Sequence, residues 1–431
     1  MDSSLVSSSS ENDSKIGQTV NRIKISFSPV KRTTNLIQLP GSKSESNRWL
    51  ILQRALPGIK LENVANSVDT QVLKKALANG DEKVDVGHAG TAMRFLTAYF
   101  AAQEGEVREL YGSKRMHQRP IGDLVNALKQ LGAQIDYLQN ENYPPLKIRG
   151  RSLKGKNISI RADQSSQYIS AILLINPFLA DDIDIKFLTA PTSKTYIKHT
   201  ASLLQELGFA FSFHSDHLSI KRPTSFNLPR TIQIESDWSA ASYYFSWIAL
   251  SKDQQLHLQF LRPDSFQADS ALPDIYDRIG VFAEWVEEDR LYLKKADASA
   301  IRELKLELND NPDIAQTIAV TCLGLGIDCH LTGLHTLTIK ETNRLQAMKN
   351  ELEKFDAQVN ITNDSLKMGS PEKLPEKVQQ ISTYDDHRMA MAVAPLVLKT
   401  KLIINDPQVV EKSYPDFWRD LERLGVQLVD N

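Results

Sequence analysis

The stretch 39–48 reads LPGSKSESNR and collects three serines, a lysine and an arginine directly ahead of the apolar run Trp49-Leu50-Ile51-Leu52. Pro40-Gly41 ends any preceding strand, and Ser42 with Glu45 three residues on has the spacing of a capping box, so a helix opens at the polar cluster. A helix N-terminus already carries unpaired N–H groups and about half a positive charge, so Lys43 and Arg48 beside it are unfavourable unless an anion lies opposite. The chemistry implied is anion capture. Similar clusters open or precede apolar helical runs at Gly90-Thr91-Ala92-Met93-Arg94, Ser165-Ser166-Gln167, Ser193-Lys194-Thr195-Tyr196 and Asp237-Trp238-Ser239. The second half adds Asn311-Pro312-Asp313, KETNR at 340–344, DDHR at 385–388 and KSYPD at 412–416. Capping explains Ser, Asp and Asn at such places. It does not explain Lys and Arg, which belong in the last turn of a helix. Repetition in both halves of the chain therefore points to several anionic ligand groups gathered into one site.

The elements that hold these clusters show in length, composition and repetition. A chain of 431 residues exceeds one ordinary core, so two domains of about 200 residues each are expected. Hydrophobic content of 41% with 24% charged residues is that of a soluble globular protein, and a net charge of −2 gives no global reason to bind nucleic acid or an anionic membrane. Cys322 and Cys329 make neither a disulfide framework nor a metal cluster, which favours a reducing, cytoplasmic compartment. No apolar run approaches the roughly 18 to 20 residues of a membrane span. The Ser-rich stretch 1–21 lacks the apolar core of a signal peptide and is expected to be a disordered tail. Beyond it, one phrase recurs: an apolar helix end, a turn residue, then an alternating strand. It occurs in LKKALANGDEKV, LKQLGAQIDYL, LQELGFAFSF, YDRIGVFAEW, LEKFDAQVNI and LERLGVQLVD, with turn residues Gly80, Gly132, Gly208, Gly280, Asp356 and Gly425. The intervals are 52, 76, 72, 76 and 69 residues. Such turns suit a left-handed C′ residue, and the arrangement predicts an α/β chain of three αβ units in each of two similar domains.

LPGSKSESNR, GHAGTAMR, RMHQRPIGDL, SSQYISAIL, PDIAQT, KETNR, DDHRMAMA and KSYPDF stand in the order found in the 5-enolpyruvylshikimate-3-phosphate synthases, which this chain resembles from about Ile23 onward. The resemblance implies two domains of βαβαββ units with helix N-termini facing an interdomain cleft. It implies transfer of the enolpyruvyl group of phosphoenolpyruvate to shikimate 3-phosphate with loss of inorganic phosphate, by a monomer needing neither metal nor other cofactor. The two substrates bring roughly six negative charges into one cleft, which explains the cations. By resemblance, Lys43, Gly90, Arg119, Gln167, Arg344, Arg388 and Lys412 meet phosphoenolpyruvate. Lys43, Ser44, Arg48, Ser165, Ser166, Gln167, Ser193, Tyr196, Asp313 and Lys340 meet shikimate 3-phosphate. No other partner is implied.

The transfer needs a hydroxyl deprotonated and a vinyl methylene protonated, then deprotonated again, so acid–base groups are required. Asp313, in the first turn of its helix, is the expected base for the hydroxyl; Glu341 and Lys43 are the candidates for the methylene proton, with His387 as a possible assistant. His88, Phe95, Asn343 and Thr336 depart from the family's commoner residues. Two other readings are a UDP-sugar enolpyruvyl transferase, against which the lack of a first-domain cysteine counts, and a non-catalytic binder of phosphorylated metabolites. The expected domains are 42–234, and 22–41 together with 235–431, with hinges near Gly41 and Glu235. Like charges across the cleft are expected to keep it open until ligands close it.

Overall fold

The computed structural model describes residues 21–29, 35–154, 157–228, 230–252, 254–296 and 301–430. The expected tail, 1–21, lies outside these residues apart from Asn21. In chain order the helices are α1 (Lys43–Ala55), α2 (Val68–Ala78), α3 (Gly90–Ala101), α4 (Gly122–Gln130), α5 (Ser166–Leu174) and α6 (Lys194–Glu206). They continue with α7 (Trp238–Leu250), α8 (Leu272–Asp277), α9 (Ala315–Leu325), α10 (Arg344–Leu352), α11 (His387–Val393) and α12 (Phe417–Arg423).

A representative unit runs from strand Lys83–Asp85 through α3 to strand Val107–Tyr111, then through α4 into the strands Gln134–Tyr137 and Leu146–Arg149. The first two strands pair in parallel and the last two form an antiparallel hairpin, with Ile135 opposite Ile148. The same order returns around α5 and α6 and around α9 and α10. Two further units borrow a strand from the start of the chain. Arg22–Phe27 lies between Leu402–Asn405 and Val426–Asp430, antiparallel to both, and Leu36–Gln38 runs parallel to Gln255–Gln259. The sixth unit departs from the expected pattern, keeping only the parallel pair of Lys60–Glu62 and Thr231–Gln233 beside α1 and α2.

The turn residues register the same exception. Gly132, Gly208, Gly280, Asp356 and Gly425 all have positive φ, because each reverses a helix into an antiparallel strand. Gly80 does not; it leads α2 into Lys83–Asp85, which opens the next unit by parallel pairing. That difference also accounts for the short first interval of the repeat.

Two separate apolar cores result. One is drawn from residues between Trp49 and Ile234; the other joins Ile23, Ile25, Ile37 and Leu39 to residues from Trp238 to Val426. At the centre of the second, α7 (WSAASYYFSWIAL) is apolar on nearly every side and buried along its length. The chain passes between the halves at two adjacent points. Gly41 bridges Ser236, Ser42 N–H donates to the Glu235 carbonyl at 2.8 Å, and Asp237 N–H to the Pro40 carbonyl at 2.9 Å. Gly41 has no substitute here, since a Cβ would fall 1.8 Å from the Asn63 carbonyl oxygen.

Candidate active site

The polar clusters read from the sequence all lie at helix starts, and most of them face one cavity between the halves. Ser42 caps α1 through Glu45 N–H at 3.4 Å, Ser165 caps α5 through Gln167 N–H at 3.3 Å, and Asp386 caps α11 through Arg388 N–H at 2.9 Å. The capping box at α1 is only half formed. Ser42 N–H is taken by the Glu235 carbonyl, so the Glu45 carboxyl turns instead toward His199 at 3.9 Å and Arg262 at 4.0 Å. Asn343, one of the departures, caps α10 through Gln346 N–H at 3.2 Å. At α3 no side chain caps the helix, which leaves the first amides of Gly90 and Thr91 open beside the cavity.

The cavity, about 140 Å³, is lined by Lys43, Ser44, Arg48, Gly90, Arg119, Ser165, Ser166, Gln167, Ser193 and Tyr196 from the first half. Asp313, Lys340, Glu341, Arg344, His387 and Arg388 line it from the second. Lys412 is the exception among the predicted residues. It sits at the end of the turn Pro407–Lys412, and its ammonium is drawn to the Asp385 carbonyl outside the lining.

In the second half the cations and carboxylates form one network. Asp313 receives Arg344 Nη1 at 2.9 Å, Arg388 Nη2 at 3.1 Å, the Tyr196 hydroxyl at 3.4 Å across the cleft, and faces Lys340 Nζ at 3.4 Å. Arg344 also holds Glu341 at 2.8 Å and the fully buried Asp386 at 2.6 Å. Loss of water alone would raise the Asp313 carboxyl, but Arg388, Lys340 and Arg344 outweigh that and hold it well below the usual carboxylate range. Glu341 is likewise held down against desolvation, by Arg344 and Arg119 first. His387 is driven the other way: burial first and Lys43 second keep its imidazole neutral, and neither ring nitrogen has a hydrogen-bond partner in the protein, Nδ1 lying 3.7 Å from Asp386 Oδ1.

The first half is differently built. Lys43 pairs with Asp69 at 3.2 Å. Arg94 and Arg119 do not pair with any carboxylate among the described residues, and their guanidinium groups meet at Gly90, whose added Cβ would lie 2.8 and 2.5 Å from them. Burial, with Arg119 next, pushes Arg94 down to about 10. Arg94 Nη1 donates to the Gly90 carbonyl at 2.7 Å, and two like charges side by side favour an anion between them. Arg48 is satisfied instead by the protein: it donates to Ser44 Oγ at 2.7 Å, Thr200 Oγ1 at 2.8 Å and the Tyr196 carbonyl at 3.3 Å, joining α1 to α6. It lines the cavity together with Ser44 and Tyr196. Phe95, another departure, lies under this guanidinium, 5.6 Å from ring centre to Cζ.

The halves touch around the cavity. Thr192 Oγ1 donates to Asn309 Oδ1 at 2.9 Å, Ser193 Oγ to the Asn309 carbonyl at 3.2 Å, and Arg115 to the loop at Lys340 and Glu341. The carboxylates supply the reason. Asp69, Asp237, Asp269, Asp313 and Glu341 line the same cavity as the cations and set opposite charges among them. Sequence reasoning passed over Asp69 and Asp269, because an acid in the first turn of a helix or in a loop looks like an ordinary cap. Arg94 stood within a quoted cluster and was given no role; its lack of a carboxylate partner emerges only in three dimensions. Thr336 also lines the wall, with its buried hydroxyl unpartnered.

A family model for EPSP synthase (3-phosphoshikimate 1-carboxyvinyltransferase) matches residues 54–421. The 3-phosphoshikimate 1-carboxyvinyltransferase of Bacteroides fragilis strain YCH46 is 43% identical over 393 residues, covering 90% of this chain and 95% of that protein. The protein of the same name from Psychromonas ingrahamii is 35% identical, covering 91% and 97%. Among solved structures, EPSP synthase from Acinetobacter baumannii superposes with a TM-score of 0.73 at 18% identity, covering 95% of this chain and all of that one. The enolpyruvyl transferase NikO from Streptomyces tendae does so at 0.70 and 14%, with the same coverage, so these two share the fold. With its repeated βαβαββ units, its cation-lined cleft and these relatives, the chain belongs to the EPSP synthase family of 3-phosphoshikimate 1-carboxyvinyltransferases.

Proposed function

We propose that this chain transfers the enolpyruvyl group of phosphoenolpyruvate to the 5-hydroxyl of shikimate 3-phosphate and releases inorganic phosphate, a step of the shikimate pathway toward chorismate and the aromatic amino acids. The observation that carries the reading is the Asp313 carboxylate, gripped by Arg344, Arg388 and Lys340 where the two halves meet. Gly90, Arg119, Gln167, Arg344, Arg388 and Lys43 are assigned to phosphoenolpyruvate, with Arg94 added because its guanidinium meets that of Arg119 at Gly90. Ser44, Ser165, Ser166, Gln167, Ser193, Tyr196, Lys340 and Asp313 are assigned to shikimate 3-phosphate, and Arg48 holds two of them in place.

Charge then governs the proton transfers. Empty, the three cations make Asp313 a weak base, for they stabilise its ionised form. Incoming phosphate and carboxylate groups compete for the same cations, which returns proton affinity to Asp313 when the substrate hydroxyl arrives. Glu341 and Lys43 serve the methylene carbon, first giving a proton as the carbon–oxygen bond forms and then removing one as phosphate leaves. The surrounding cations stabilise the departing phosphate.

We assign the chemistry to a cytoplasmic monomer, supported by a cavity built from one chain and by two buried free cysteines. The moving bodies are assigned as 42–234, and 22–41 with 235–431, with hinges at Gly41 and Glu235; the separate cores support that division. The test is phosphate release by the purified protein. It is expected only when both substrates are present, and release from phosphoenolpyruvate alone, or none with both, would overturn the reading.

A further inference from the structure

One cross-cleft contact grips the reacting loop without entering the cavity. Arg115, at the head of the turn Met116–Gln118, sends Nε to the Glu341 carbonyl at 3.3 Å and Nη2 to the Lys340 carbonyl at 3.2 Å. Its Nη1 stays within its own half, on Gln118 Oε1 at 3.4 Å. Arg115 does not line the cavity, whereas Lys340 and Glu341 both do.

The geometry of that grip matters. The two carbonyls belong to the peptide planes on either side of the Glu341 Cα. Peptide planes are rigid, so orienting both fixes φ and ψ of Glu341 and hence the direction of its side chain. A planar guanidinium with its donors in a fixed fork can hold two such acceptors at once, whereas an ammonium acts as a point charge. The held side chain is the one that meets Arg344 at 2.8 Å and lines the cavity. The contact exists only while the halves are together, because Arg115 follows a strand of the first half and the loop precedes α10 of the second. Arg119, four residues on, presents its guanidinium to the cavity at Gly90 from the same turn.

We infer that Arg115 is a positioning residue that couples cleft closure to the orientation of the Glu341 carboxyl. The inference rests on the enolpyruvyl transfer proposed above. Closing the cleft sets the peptide planes, and the planes aim the acid.

The test compares Arg115→Ala and Arg115→Lys with the parent, each checked for an unchanged melting curve. With both substrates saturating, kcat is expected to fall about tenfold or more in Arg115→Ala while the Kd for shikimate 3-phosphate moves less than about threefold. Arg115→Lys recovers only part of the loss. On a Glu341→Gln background the Arg115→Ala change costs little more, since the two act through one group. Hydrogen exchange gives a readout independent of activity: amides 341–344 of the ligand-free protein exchange faster in Arg115→Ala. Losses that multiply with Glu341→Gln, or unchanged exchange with unchanged kcat, would overturn the inference. A parent protein that released no phosphate would sink the transfer reading, and the exchange result would still decide whether Arg115 holds the loop.

Discussion

Asp313 and Gly90 separate chemistry from accommodation at the scale of single residues. Asp313→Asn keeps the size of the side chain and its place under Arg344 and Arg388 but removes the proton acceptor. Turnover is expected to fall about 100-fold or more, with shikimate 3-phosphate affinity nearly preserved; isothermal titration beside a phosphate-release assay checks both halves of that statement. Gly90→Ala should do the reverse. The new Cβ would meet Arg119 Nη1 at 2.5 Å and Arg94 Nη1 at 2.8 Å, both ends of long side chains, so the protein yields without unfolding. The two guanidinium groups must part. The KM for phosphoenolpyruvate is expected to rise about tenfold or more, with kcat and melting temperature little altered. A variant with a normal KM would detach this pair of arginines from that substrate.

Among the elements, α1 couples site and hinge, for its first turn carries both Lys43 and the buried Glu45. Desolvation raises the Glu45 carboxyl to about 8, and Arg262, 4.0 Å away and half exposed, is too distant to offset it. The folded protein thus keeps a proton that the unfolded chain releases above its ordinary value of 4.5. Stability from this group is complete below 4.5 and drains away as the pH climbs through 8. Glu45→Gln cannot ionise, so its melting temperature should exceed the parent's above pH 8 and converge with it near 4.5. A constant gap across that range would assign the effect to shape rather than charge. How far such elements were legible in the sequence depended on local chemistry. Helix starts at Ser42, Ser165, Asn343 and Asp386 were readable because a cap acts within three residues. The hairpin turns at Gly132 and Gly208 were readable because positive φ selects glycine. The reduced sixth unit was not, since whether a strand such as Lys83–Asp85 pairs forward or back depends on residues far along the chain. The same limit hid the destinations of Glu45 and Lys412, whose partners come from other segments.

At the scale of the whole molecule, closure rests on a few polar contacts between two independent cores, including Thr192 with Asn309 and Tyr196 with Asp313. Each such bond contributes about 1 kcal/mol, so closed and open forms should exchange readily. Shikimate 3-phosphate, assigned above to residues of both halves, is expected to shift the population toward the closed form. Small-angle scattering in low salt should record a falling radius of gyration during titration, less pronounced in Arg115→Ala. An unchanged radius in both proteins would mean that the halves do not move. The strand Arg22–Phe27 has a different consequence, one that concerns biosynthesis. It is made before the segment 42–234, yet its neighbours on both sides, Leu402–Asn405 and Val426–Asp430, are made after that segment. The body spanning 42–234 has its own core and is translated in full while that strand still waits for its partners. During synthesis the order of completion is therefore inverted: the inserted half can fold first, and the half that holds Arg22–Phe27 is sealed after it.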